Sequence, residues 1–434
     1  MFVVPPPENQ VAEPTRLHEF IAELQWRGIL HQCSDLEGLN EHLSTGTRTA
    51  YIGVDPTADS LTIGNLATLT LLARFQQAGH RAIVIAGGGT GLIGDPGGKD
   101  AERPLLSMEQ VVANVQSQMR IYNALLPGAS VVNNADWLTK LSWIEVLRDV
   151  GKHFSVNEMV KRDSVRNRLE GDGISYTEFS YMLLQAYDFA HLFKAEGVTL
   201  QMGGSDQWGN ILSGAELIRR LHGGSAFALT GTLITKADGT KFGKSETGAV
   251  WLTADRTSPY AFHQFWLNVN DADVVPYLKR FTMLTRDQIA ELEQAVASDP
   301  SGRLAQRTLA NEVTGWLHGI AAAERAEAAG KALFSGDVRS LDRETVAEVF
   351  ADVPSTTWAV ADLVAAPIDA VQLLVSTGLA TSNRQAREFL AAGSVLVNGE
   401  KIAPEATFGV DDLMFGDTLL VRRGRKQWHA ARWA

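Results

Sequence analysis

Apolar residues follow two rhythms along this chain, and the change between them divides it. In the first half, short apolar runs alternate with segments whose leucines recur at helical spacing. The run 50–54 ends at Asp55-Pro56, and a helical stripe over 63–77 is stopped by Gly79. A second buried strand over 81–86 leads into the glycine-rich segment 87–98. The same reading predicts helices over 107–126, 143–149, 180–194 and 211–221, with strands over 130–133 and 198–202. Strands alternating with helices predict an α/β fold with a parallel sheet covered on both faces, and ligands in such sheets bind beyond the carboxyl ends of the strands.

From about residue 256 only the helical period remains, over 259–267, 273–281, 286–297 and a long run 303–333. A Pro- and Thr-containing stretch at 353–358 leads to a small third unit from about 370. No internal repeat is present.

Composition narrows the class. The 434 residues are 45% apolar and 21% charged, which suits a soluble globular chain of two or three domains. One cysteine, Cys33, excludes an intrachain disulfide framework and a thiolate-rich zinc site, and the ten histidines show no metal spacing, so no metal site is expected. No apolar run is long enough for a membrane span, and the N-terminal arm lacks a signal or transit pattern, so a cytoplasmic location is expected. The net charge of −11 argues against a protein that coats DNA or RNA by bulk charge. The sign reverses at the end, where Arg422, Arg423, Arg425, Lys426 and Arg432 occur without an acidic residue in 421–434.

The chemistry-bearing residues gather at the predicted ligand edge. Gly203-Gly-Ser-Asp-Gln-Trp-Gly209 breaks a strand with paired glycines and presents Asp206 and Gln207 before a helix. Gly204 lets backbone approach a ligand, and Asp206 and Gln207 can bond a ribose or another polar group. Lys241-Phe-Gly-Lys-Ser245 sets Lys241, Lys244 and Ser245 in a loop able to close over phosphates, although exposed lysines are more often merely solvated. Tyr181, Gln185 and Asp188 share one helix face, either as a polar surface or as a pocket wall for a ligand bearing both an ammonium and a hydroxyl. Asp55 and Asp95 end turns, an ordinary place for aspartate. Thr57, Thr62 and Asn65 precede or open the first long helix, where a helix cap or an anion site would use them equally well. The 87–98 segment fits neither the dinucleotide fingerprint nor the P-loop, and no Ser-His-Asp arrangement stands out.

Taken together, Tyr51-Ile-Gly-Val-Asp-Pro-Thr-Ala-Asp-Ser-Leu61, Thr90-Gly-Leu-Ile-Gly-Asp-Pro96, Gly151-Lys-His-Phe-Ser-Val-Asn157, Gln201 to Asn210 and Ile234 to Ser245 resemble the bacterial-type tyrosyl-tRNA synthetase family of class I aminoacyl-tRNA synthetases. The resemblance runs from Arg27 to the C-terminus. It implies a Rossmann-like catalytic domain with the N-terminal arm over 1–250, a helical domain over 251–350 near the tRNA anticodon, a linker over 351–369 and an S4-type α+β RNA-binding domain over 370–434. The activity it implies is activation of L-tyrosine by ATP, with Mg2+ accompanying the nucleotide, and transfer to tRNA(Tyr) by a homodimer whose interface lies near 141–166.

In the residue roles that follow from this likeness, Tyr51 and Asp188 bind the substrate phenol, Asp95, Tyr181 and Gln185 hold its ammonium, and Gln201 supports the tyrosine site. Asp206 and Thr68 bind the ribose, Gly53, Gly64 and Gly204 border the nucleotide, and Asp55 and Gln207 orient the reacting groups. Thr57, Thr62, Asn65, Lys99, Arg103, Lys241, Lys244 and Ser245 act on the phosphates. A pocket that pairs the substrate hydroxyl leaves its own groups unsatisfied when phenylalanine enters, so no editing domain is expected. Ser382-Asn-Arg-Gln-Ala-Arg-Glu-Phe-Leu390 resembles the S4 recognition helix and 395–402 its hairpin, with Arg384, Arg387, Arg422, Arg423, Arg425 and Lys426 set to contact RNA.

Four positions depart from the family pattern. Thr62-Ile-Gly-Asn65 stands where the first signature normally reads His-Ile-Gly-His, and Thr62 cannot carry a positive charge. Ile52 replaces a usual cysteine and Ala135 a usual tyrosine. A catalytically weak homologue acting as a structured-RNA-binding protein, and a tryptophan-specific synthetase, are the alternatives.

Overall fold

The computed structural model describes residues 17–96, 105–171, 173–235, 237, 239, 242–245, 248–351, 353–424 and 427–434. The chain divides into two compact units, one running up to Arg256 and including Asn270–Ala305, the other made of Thr257–Val269 and Gln306–Ala434.

The first unit is an α/β layer structure. Its sheet contains β1 (Leu30–Cys33), β2 (Thr49–Val54), β3 (Arg81–Ala86), β4 (Ser130–Asn133), β5 (Val198–Gly204) and β6 (Phe227–Gly231) in the order β1-β6-β5-β2-β3-β4. All neighbours are parallel except β1 with β6. The central strands β2 and β3 are buried along almost their whole length, as a sheet covered on both faces requires. Chain direction across the sheet reverses between β2 and β5, where Tyr51 registers with Gln201. Helix Ile63–Gln77 covers β2 and β3, and the 21-residue helix Tyr176–Glu196 delivers the chain to β5. Beyond β6, β7 (Lys244–Ser245) and β8 (Gly248–Ala249) form a short antiparallel hairpin.

Segment 270–305 joins this unit, where the helical period and the family resemblance had set it in a helical domain over 251–350. The cause is three buried guanidinium groups. Arg74 donates to the carbonyls of Lys279, Arg280 and Thr282 at 3.1, 3.2 and 2.8 Å, and Arg27 to those of Lys279 and Thr282 at 2.9 and 3.3 Å. These are the orphan carbonyls at the end of helix Asp271–Phe281. Arg280 returns the arrangement by donating to Thr232 O at 2.6 Å. Burial pulls the Arg74 guanidinium down to about 9 and that of Arg280 to about 10, which leaves both charged near neutral pH.

In the second unit, helices Pro259–Leu267, Leu304–His318, Ile320–Ser335 and Arg343–Val349 accompany a C-terminal sheet. The expected helix over 303–333 is broken at Gly319, whose φ of 91° a side chain rarely adopts. The expected linker contributes β9 (Ser355–Trp358) and β10 (Ile368–Asp369). With β11 (Val395–Val397), β12 (Glu400–Lys401), β13 (Thr407–Phe408), β14 (Thr418–Arg423) and β15 (Gln427–Trp433) they make a five-stranded sheet β12-β11-β14-β15-β9 and a separate β10-β13 pair. The period of two along β14 and β15 gives this sheet two apolar faces. Leu419, Val421, Ala431 and Trp433 pack with Leu373 and Leu390, whereas Leu420 and Ala430 pack with Ala329, Val346 and Phe350. Among the described residues, no helix is long and apolar enough to cross a membrane.

Replacing Arg74 by Leu removes the donors to three carbonyls, two of which keep Arg27. With Arg280 O left unsatisfied, at roughly 1–3 kcal/mol for such a buried group, we expect a loss of about 1–3 kcal/mol in urea unfolding. A loss below about 0.5 kcal/mol would show that solvent replaces the guanidinium.

Candidate active site

Three buried polar atoms lack a hydrogen-bond partner among the described residues in the crevice between β2 and β5. They are Tyr51 Oη, Gln185 Oε1 and Gln201 Oε1. An unpaired buried group is costly, so three such atoms on neighbouring β2 and β5 residues and on helix Tyr176–Glu196 suit a polar ligand.

One wall is built around Asp188, which is 3% exposed. Its carboxylate accepts from Asn134 Nδ2 at 2.8 Å and Trp137 Nε1 at 2.7 Å. Burial pushes the carboxyl up to about 7, against the two donors, which favour the ionised form. Burial, with Asp188 nearby, also raises the Tyr51 phenol far above its usual range. From Asn134 the network continues: Asn134 Nδ2 donates to Thr90 Oγ1 at 2.9 Å, and Thr90 donates to Asp55 Oδ1 at 2.7 Å. Tyr181 Oη donates to the other Asp55 oxygen at 3.0 Å. A Cβ at Gly87 would lie 2.3 Å from Asp55 Oδ1, and one at Gly88 2.2 Å from Asn133 Oδ1, so the glycine-rich turn is what lets this network close.

The opposite wall is an amide chain. Gln207 Nε2 donates to Asp95 Oδ2 at 2.6 Å and lies 3.2 Å from Asp206 Oδ2, while its Oε1 accepts from Gln185 and Asn210, each at 3.3 Å. The structure therefore brings together Tyr51, Asp55, Asp95, Tyr181, Gln185, Asp188, Gln201, Asp206 and Gln207. Thr90, Asn134 and Trp137 join them and were not singled out from the sequence; the one available signal was the Asn133-Asn134 pair at the carboxyl end of β4.

At the mouth, Thr62 precedes helix Ile63–Gln77, and its N and Oγ1 both donate to Asn65 Oδ1 at 3.0 Å. The Asn65 carbonyl is thereby occupied. Gly53, Thr57 and Gly64 are exposed, Thr68 is half-buried, and Gly204 ends β5. The backbone of Lys244 and Ser245 lies in β7. Lys99, Arg103 and Lys241 lie outside the described residues, as do Arg425 and Lys426. In the second unit Arg384 and Arg387 project from helix Asn383–Ala391 into solvent. Arg422 and Arg423 are half-buried: Arg422 donates to Leu333 O and lies over Trp428, and Arg423 donates to Leu379 O and lies over Phe389. Among the described residues no group of three or more His, Cys, Asp or Glu side chains could hold a metal ion.

Residues 44–335 match the family model for class I tRNA synthetases (W and Y), and residues 345–431 match that for the tyrosine–tRNA ligase SYY-like C-terminal domain. A tyrosine–tRNA ligase of Roseiflexus castenholzii is 52% identical over 418 residues, covering 94% of this chain and 98% of its own. This chain belongs to the tyrosine–tRNA ligase family. The Geobacillus stearothermophilus member is 49% identical over 96% of this chain and its own full length. The crystal structure of a C-terminally truncated Aspergillus nidulans mitochondrial tyrosyl-tRNA synthetase superposes with a TM-score of 0.66 at 31% identity, covering 73% of this chain and 94% of its own.

Since Asn134 stabilises the ionised form of Asp188, Asn134→Ala should move the Asp188 carboxyl above about 7, as read by carbon NMR titration. An unchanged midpoint would mean that burial and the Trp137 donor set it without Asn134.

Proposed function

We propose that this chain joins L-tyrosine to tRNA(Tyr) in two steps at the β2/β5 crevice. The tyrosine carboxylate attacks the α-phosphate of ATP, the bond to the β-phosphate breaks, and pyrophosphate leaves. A ribose hydroxyl of the terminal adenosine of tRNA then attacks the activated carbonyl and AMP departs. The observation that carries this reading is the buried Asp188 beside the unpartnered Tyr51 hydroxyl, in a chain whose relatives at about half identity are tyrosine–tRNA ligases.

In this reading the substrate phenol donates to Asp188 and accepts from Tyr51. Its ammonium is held by Asp95, Tyr181 and Gln185, with Gln201 supporting the pocket. Asp55 and Gln207 orient the carboxylate, and Asp206 with Thr68 takes the ribose, beside Gly53, Gly64 and Gly204. Thr57, Thr62, Asn65 and Ser245 meet the phosphates, with Lys241, Lys244, Lys99 and Arg103 supplying positive charge. No side chain serves as a covalent nucleophile, so positioning and charge neutralisation do the catalysis. Mg2+ arrives as part of the nucleotide substrate. The catalytic role is assigned to 1–250, anticodon contact to the helices of 251–350, and RNA binding to 370–434 beyond the 351–369 segment, with Arg384 and Arg387 the exposed cations best supported for phosphate contact; Arg422, Arg423, Arg425 and Lys426 would act beside them. The single cysteine suits a cytoplasmic location.

A homodimer is the second part of the proposal. Trp143, Ile144, Leu147, Val156 and Tyr176 leave large apolar surfaces exposed on one stretch of the first unit, Trp143 at 57% and Ile144 at 67%. Such exposure suits burial against a second copy.

Purified protein should exchange pyrophosphate into ATP with tyrosine but with neither phenylalanine nor tryptophan; no exchange by folded protein would move the RNA-binding reading to first place. The pH dependence has a defined sign. Tyrosine favours ionised Asp188, so binding releases a proton below about 7, and affinity should rise by up to about tenfold per pH unit up to that point and level off above it. A flat profile between pH 5.5 and 7 would dissociate Asp188 from the phenol. For the dimer, Ile144→Asp should shift sedimentation from dimer to monomer at micromolar concentration, and an unchanged dimer would place the interface elsewhere.

A further inference from the structure

The hairpin β7–β8 is followed by a strap, residues 250–256, that is laced onto the chain just before helix Ile63–Gln77. Thr62 and Trp251 form an isolated antiparallel bridge. Ile63 N donates to Val250 O at 3.2 Å, Leu252 N to Leu61 O at 2.8 Å and Thr253 N to Ser60 Oγ at 3.2 Å. Val250, Leu252 and Thr253 are buried, as are Ser60 and Leu61. The strap also holds the hairpin's base, because Val250 N donates to Gly243 O at 3.3 Å. On its outer side Arg256 lies 4.2 Å from the Trp251 ring centroid, and its Nε is 2.8 Å from Asp59 Oδ1 in an ion pair not aligned as a hydrogen bond. Asp255 pairs with Arg120 at 3.0 Å.

We infer that this strap is a positioning element that registers the hairpin carrying Lys244-Ser245 against the Thr62–Asn65 turn, and that Arg256, clamped between Trp251 and Asp59, keeps it in place. The inference rests on the reading of those two segments as the phosphate-binding parts of the site. Both ends of one phosphate chain would be held from segments about 180 residues apart in sequence, counted from Thr62 to Lys244 (244 − 62 = 182). A shift of the hairpin relative to the turn would misplace the groups that meet departing pyrophosphate, while the tyrosine pocket, built from other elements, would be untouched. The backbone ladder supplies the register and the exposed Arg256 clamp secures it.

The test compares Arg256→Ala, Arg256→Lys, Ser60→Ala and the charge exchange Asp59→Arg with Arg256→Asp in full-length protein. Tyrosine-dependent pyrophosphate exchange in the unsubstituted protein comes first, since its absence would overturn the underlying functional reading and not the strap alone. Given that activity, Arg256→Ala should lower kcat/KM for ATP by about fivefold to tenfold, as loss of roughly 1–1.4 kcal/mol implies. Tyrosine affinity measured without ATP should stay within about twofold. Arg256→Lys and the charge exchange should recover part of the loss, and Ser60→Ala should act in the same direction as Arg256→Ala. The strap is refuted if ATP parameters of both Arg256→Ala and Ser60→Ala match the unsubstituted protein. It is equally refuted if tyrosine affinity falls in step with ATP use, which would indicate general loosening.

Discussion

Where β2 lies beside β5, the chain connections leave toward opposite sides of the sheet, so no crossover covers the two strand ends and a crevice opens between them. The register of Tyr51 with Gln201 sets two polar side chains side by side at that seam. Every other group of the site is referred to it. The loop after β2 brings Asp55, the turn after β3 brings Thr90 and Asp95, the end of β4 brings Asn134, and the loop after β5 brings Asp206 and Gln207. Backbone pairing, which is indifferent to the ligand, thus fixes the side chains that would recognise it.

Two opposing effects meet at Asp188, and their balance accounts for its chemistry. Removing a carboxylate from water raises its proton affinity; Asn134 and Trp137 counter this by donating to both oxygens. Burial wins, leaving the carboxyl at about 7. A group so placed gains from a further donor such as a phenol O–H, and an aromatic ring without a hydroxyl would leave both Asp188 and Tyr51 short of a partner. On the proposed reading, discrimination against phenylalanine rests on the Tyr51 hydroxyl, which has no partner among the described residues.

Elements governed by local periodicity were legible in the sequence. The helix over 63–77, the strands over 81–86 and 130–133 and the helix over 259–267 keep their expected limits, because stop signals such as Gly79 act locally. Features set by distant partners were not legible. Arg27 and Arg74 look like ordinary solvent-facing arginines until their carbonyl partners arrive from more than 200 residues away, so 270–305 appeared to belong with the later helices. Asn134 and Trp137 likewise gain meaning only when β4 is beside the helix carrying Asp188. At the C-terminus, Arg422 and Arg423 read as a basic tail, whereas neighbouring rings and carbonyls draw them into the fold.

Thr62 shows how a departure from a family motif is absorbed physically. A neutral threonine at this position cannot supply the charge of an imidazolium, but by donating twice to the Asn65 carbonyl it fixes the amide. The helix start thereby offers dipoles and neutral donors, which position an anion more than they neutralise it. On the proposed reading, neutralisation would fall to cations carried by other segments, among them the hairpin whose base is laced to Thr62 through Val250 and Trp251. The less charge the first segment carries, the more the chemistry depends on how accurately the second is held against it. On the proposed reading, the backbone bridge between Thr62 and Trp251 would serve to keep the two segments in register.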